Sequence, residues 1–138
     1  MRPAYETNQD LKNQEKAIEA LRKAWHCSTR PLPPKSPFDY AIVKSDGSIP
    51  GFVEVKCRKC KYGQYPDIML SWHKLREACA VGRTVVLLVQ WNDCLGWVEL
   101  TDDLWETLEW GGRTAKTRDA WDEEPIIKIK NEKFKIIC

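Results

Sequence analysis

Phe38-Asp39-Tyr40-Ala41-Ile42-Val43-Lys44, then Ser45-Asp46-Gly47, then Gly51-Phe52-Val53-Glu54-Val55-Lys56 is the stretch on which the fold turns. Both ends are apolar and β-branched, and Ser45-Asp46-Gly47 is a turn signal. Two neighbouring strands are expected, over 38–44 and 51–57. Side chains alternate along a strand, so Phe52, Glu54 and Lys56 share one face and Val53, Val55 and Cys57 the other. One face of an otherwise apolar strand thus carries a carboxylate and an ammonium, with Asp39 on the strand before it.

Outward from this pair the pattern is of alternating element types. Leu11, Ala17, Ile18, Leu21, Ala24 and Trp25 recur at helical spacing and predict a helix over 8–25. Glu15 lies at the edge of its apolar face, and Glu19 points further toward solvent. Arg30 to Pro37 is a proline-rich connector that cannot be helical. After the strands, residues 58–67 read as loop. Ser71 is a plausible N-cap for a second helix over 72–81, which Gly82 ends. Thr84 to Trp91 is apolar and β-branched, as in a strand buried on both faces. A strand over 94–100 follows, then a short helix from Thr101 through Leu108. Residues 126–130 and 133–137 are expected to form a terminal hairpin around Asn131-Glu132.

Composition bounds the rest. A chain of 138 residues suffices for one domain with one core. There is no apolar run of membrane-spanning length and no signal peptide, so a cytoplasmic protein with no membrane partner is expected. Net charge is only +2, too little for overall basicity to argue nucleic-acid binding. The distribution is more informative. Residues 31–90 hold nine Lys or Arg against five Asp or Glu, whereas residues 91–124 hold three against ten. Lys56, Arg58, Lys59 and Lys61 fall in the basic part, as does Lys35, and a basic patch beside a carboxylate suits a polyanion.

Six cysteines without secretory context read mostly as thiols. Cys57 and Cys60 form one CxxC, and His26-Cys27 is the available second pair for a zinc site. The two histidines are too few for a histidine metal centre, and no glycine-rich phosphate loop is present. Trp25, Trp72, Trp91 and Trp97 suit core positions. Trp105, Trp110 and Trp121 lie in the acidic part, where they are expected to cover the sheet or meet a protein partner.

Phosphodiester cleavage needs charge neutralisation at the phosphate, a positioned water and a stabilised leaving oxygen. Asp39 and Glu54 supply hard oxygen ligands, the Val55 carbonyl a third, and Lys56 a group to orient water. With Asp39 after Pro37-Phe38, the Glu54-Val55-Lys56 triplet and Glu15 on the preceding helix, the chain resembles the PD-(D/E)XK nuclease superfamily over roughly residues 10–100. The resemblance implies an α/β fold, a restriction-endonuclease-like αββαβ core with a mixed central sheet, here followed by a C-terminal β-hairpin extension. It implies that Asp39, Glu54 and Glu15 serve Mg²⁺ or Mn²⁺, that Lys56 aids the nucleophile, and that Lys74 faces the site from the second helix. The implied activity is a metal-dependent DNA endonuclease, structure-selective for junction or branched DNA as in Holliday-junction resolvases, and acting as a homodimer. Small nucleases of this kind are frequent in phages, which would place this one in the host cytoplasm. The competing expectation is a non-catalytic or virion-associated protein on the same fold, binding a protein partner through 101–124.

Overall fold

The computed structural model describes residues 8–111 and 124–137. Helix α1 (Asn8–Trp25) opens the described chain. Its buried stripe is Ala17, Ile18 and Leu21, while Leu11 and Ala24, expected on the same face, are exposed. His26 then adopts a left-handed backbone, φ 52°, and turns the chain into strand β1 (Ser28–Pro31). This strand was not expected. Its residues are mostly exposed, so no apolar alternation announces it, and Pro31 is acceptable because β1 lies at a sheet edge.

Strands β2 (Tyr40–Val43) and β3 (Gly51–Cys57) are the expected pair, β2 being shorter than the sequence suggested. They pair antiparallel, with Tyr40 opposite Val53 and Ala41 opposite Phe52. Strand β4 (Asp67–Ser71) was not expected: it begins at the last residue of the expected loop and runs to the expected N-cap. Ile68 and Leu70 alternate inward along it. Ser71 then caps helix α2 (Trp72–Ala80), its Oγ accepting from the His73 N–H at 3.3 Å. Gly82 follows with φ +73°, a conformation glycine adopts without penalty.

Strands β5 (Thr84–Gln90) and β6 (Leu95–Glu99) come next. A 3₁₀ segment covers Asp102–Thr107, close to the expected short helix. Strands β7 (Glu109–Gly111), β8 (Glu124–Lys130) and β9 (Lys135–Ile136) complete the described chain.

Among the described residues the strands form two sheets. The larger has the order β1-β2-β3-β5-β6-β9 and the smaller β4-β8-β7. The β3–β5 pair is parallel and its flanking pairs are antiparallel, so the central sheet is mixed as expected. A parallel pair requires a crossover, and β4 and α2 provide it. One apolar cluster joins α1 to one face of this sheet through Ile18, Leu21, Val53, Val55 and Leu88. A second joins the other face, through Leu87 and Val89, to Leu75 of α2 and Ile127 and Ile129 of β8.

The expected C-terminal hairpin does not form. β8 pairs with β4 and β7 in the small sheet, while β9 pairs with β6 in the large one. Asn131–Lys133, expected to be its turn, is a 3₁₀ segment that carries the chain between sheets. The alternation of Ile127 and Ile129 reads correctly as a strand, but the partners that satisfy it are distant in sequence.

Candidate active site

β2 and β3 separate at Asp39. Continuing their register sets Asp39 opposite Glu54. The Asp39 N–H still donates to the Val53 carbonyl at 3.0 Å. The Val55 N–H, which lies past the end of β2, donates to Asp39 Oδ2 at 2.8 Å. The side chain therefore takes over where the strand ladder stops, and this bond accounts for a carboxylate only 5% exposed. In a strand a residue's N–H and C=O point to the same side, as in the paired exchange of an antiparallel ladder. The Val55 carbonyl thus faces the Asp39 side with its N–H.

Val53 and Val55 are buried against α1, which turns Phe52, Glu54 and Lys56 toward the α2 side. There Lys74, in the first half of α2, reaches over the strand. Its Nζ lies 3.3 Å from Glu54 Oε1 and also donates to the Pro37 carbonyl. One ammonium thus ties the helix to both the chain before Asp39 and the strand bearing Glu54.

The electrostatics follow from burial. Glu54 has its pKa pushed up to about 7, first by loss of solvent and second by the Asp39 carboxylate, with Lys74 and Lys56 opposing. The Lys56 pKa is lowered, first by burial and then by Arg58, with Glu54 acting the other way. A carboxylate that burial and a neighbouring carboxylate hold partly protonated is one whose charge a divalent cation would restore. Hard oxygen donors of this kind suit Mg²⁺ or Mn²⁺.

Glu15 stands apart from this group. It is exposed on α1, and its Oε1 accepts from the Tyr40 hydroxyl at 3.1 Å. Glu19, the competing carboxylate, is exposed and ion-paired with Arg22. Among the described residues no three His, Cys, Asp or Glu side chains gather as a metal site. Asp39 and Glu54 are therefore a pair, and Glu15 bonds Tyr40 instead of joining them. Tyr40 itself had no signal in the sequence beyond being an aromatic on a strand.

Of the basic residues singled out by sequence, Lys74 enters the site directly. Arg58 is half-buried at the end of β3, its N–H donating to the Gln90 carbonyl at 2.8 Å. Lys59 and Lys61 are exposed on the loop beyond it, and Lys35 is exposed on the proline-rich connector. The zinc alternative finds no support in placement. Cys60 is buried in the cluster on the α2 side, whereas Cys27 packs against the cluster on the α1 side.

A family model described as "Phage putative PDDEXK endonuclease" matches residues 1–137. The chain belongs to that family. The family found is thus of the kind the Asp39, Glu54 and Lys56 pattern resembled, and it places the chain among nucleases. No curated protein matches the sequence. Among solved structures the chain is similar to Hjc, a Holliday junction resolvase from the archaeal hyperthermophile Archaeoglobus fulgidus. The two share 17% identity, with 87% of this chain and 86% of that chain covered and a TM-score of 0.49.

Proposed function

We propose that this protein is a metal-dependent DNA endonuclease whose site is Asp39, Glu54, Lys56 and Lys74. The observation that carries the reading is the break between β2 and β3. There Asp39 accepts from the Val55 N–H, the register sets it opposite Glu54, and Lys74 pairs with Glu54, which supports the reading. Asp39, Glu54 and the Val55 carbonyl would hold Mg²⁺ or Mn²⁺, and Glu15 would assist from α1. When bound, the ion supplies Lewis-acid neutralisation of the scissile phosphate. Lys56, its pKa lowered by burial, orients the attacking water and takes part in its deprotonation. Lys74 holds Glu54 in place and offers its charge to the substrate backbone. Arg58, Lys59, Lys61 and Lys35 extend that charge along the DNA.

The narrower form of the reading is selectivity for junction or branched DNA by a homodimer, which would set two sites on two strands. It acts in the cytoplasm of the host if the gene is carried by a phage. No described helix is long and apolar enough to cross a membrane.

The test is incubation with branched, single-stranded and linear duplex DNA, in Mg²⁺, Mn²⁺ or chelator. Cutting is expected with metal and absent with chelator. Asp39→Asn and Lys56→Ala should each abolish it while leaving the circular-dichroism melt in place. Equal cutting by the variants would assign the activity to a contaminant. One observation favours a second reading, a partner-binding protein on this fold: Trp110 is 69% exposed at the edge of the acidic segment. Lack of cutting on every substrate, with retained capture of a protein partner, would favour it.

A further inference from the structure

The loop of residues 58–66 leaves β3 directly after Lys56 and Cys57, and it is tied down at its far end. Asn131, itself buried, makes three bonds to it. Its Nδ2 donates to the Tyr65 carbonyl. Its N–H donates to the Pro66 carbonyl at 3.2 Å, and its own carbonyl accepts from the Tyr62 hydroxyl at 3.2 Å. Asp93 adds a fourth tie, its Oδ1 accepting from the Tyr62 N–H at 2.8 Å. The Tyr62 ring packs edge-on against Trp91, which in turn packs against Phe134. A loop with a positive-φ glycine, Gly63, is thus anchored at both ends and in its middle.

What this anchored loop presents outward is Lys59, Lys61 and the Tyr65 side chain, the last 53% exposed. An aromatic ring held in water at that exposure contributes little to folding. Its backbone carbonyl, by contrast, is held by the buried Asn131. Cations and an exposed aromatic on one loop are the chemistry of a surface that tracks a phosphate backbone and stacks a base. The loop begins at Arg58, four residues past Glu54 and about 13 Å along the strand direction at roughly 3.3 Å per residue. DNA that reaches Glu54 would pass the start of this loop.

We infer that Tyr65 is a stacking platform for an unpaired nucleobase of the bound DNA, with Lys59 and Lys61 on the adjoining phosphates, and that Asn131 is the positioning residue that presents it. The inference rests on the nuclease reading and deepens it, since it selects DNA with bases out of the helix stack over continuous duplex. A base inside a duplex has both faces covered and cannot use the ring.

Binding is measured by fluorescence anisotropy with chelator present, so that nothing is cut. The probes are a labelled duplex with a three-nucleotide gap and the same duplex without one. Tyr65→Ala is expected to weaken binding to the gapped probe by about tenfold, the loss of one base–aromatic stack. Binding to continuous duplex should change by less than about twofold on the same basis. Tyr65→Phe should restore the gapped-probe affinity, because the ring and not the hydroxyl stacks. Asn131→Asp, which removes the donor to the Tyr65 carbonyl, should lower the ratio of gapped to duplex affinity although Tyr65 is intact. Equal losses on both probes, or none on either, would overturn the stacking role while leaving the nuclease reading in place. Failure of the unaltered protein to bind either probe would overturn both.

Discussion

Glu54 illustrates how a strand residue becomes chemical. Its alternation with Val53 and Val55 is ordinary, but its face is closed by α2 and its neighbour is Asp39. Its folded pKa of about 7 lies above the ordinary 4.5, so the folded protein binds this proton more tightly than the unfolded chain. The stability this contributes is complete below about pH 4.5 and is lost as the pH rises through about 7. In chelator, the protein is therefore expected to lose up to about 3 kcal/mol between pH 4.5 and 8, read from urea unfolding. Glu54→Gln should remove most of that dependence. An unchanged slope in the variant would show that other groups set it. Lys74 opposes the rise, so Lys74→Met should push the Glu54 pKa further up and move the acidic limb of cleavage to higher pH. Lys74→Arg should leave that limb nearly where it was.

Among the elements, β3 and β5 meet more closely than side chains permit at one point. A Cβ built on Gly51 would lie 2.3 Å from the Thr84 carbonyl oxygen, a backbone atom that cannot swing away. Gly51→Ala is expected to force the parallel pair apart and to cost about 1–3 kcal/mol, checked by chemical denaturation. Because that pair carries Glu54 and Lys56, cleavage should fall as well. α1, β3, α2 and β5 were readable because each carries its own apolar period, as with Ala17, Ile18 and Leu21 or the buried run from Val85 to Val89. β1 was not, since its residues are exposed and owe their form to pairing with β2. β4 was partly hidden because Asp67 and Met69 face outward and the loop before it is rich in Gly, Tyr and Pro.

Across the protein as a unit, the C-terminal residues are not an appendage. Ile127 and Ile129 are fully buried in the cluster that holds Leu75 and Leu87, and β8 is the middle strand of the small sheet. That sheet covers the α2 side of the fold, and α2 carries Lys74. A chain ending at residue 123 is expected to lack a cooperative thermal transition and to show no cleavage. A well-folded truncated protein would overturn that dependence. Ile129→Ala, a milder change, should cost about 2–5 kcal/mol through the cavity it leaves.

Local pattern by itself determined the helices, strands β2 and β3, and the place of Glu54 and Lys56 on β3 with Asp39 just before β2, because side-chain period and turn chemistry are properties of neighbours in sequence. Tertiary structure alone decided the rest. It placed Lys74 on Glu54, joined Glu15 to Tyr40 rather than to the carboxylate pair, and separated β8 from β9 into different sheets. Each of these is a contact between residues distant in the chain. Which long-range pairing wins depends on how buried faces and backbone groups are satisfied together, and no short window of sequence records that.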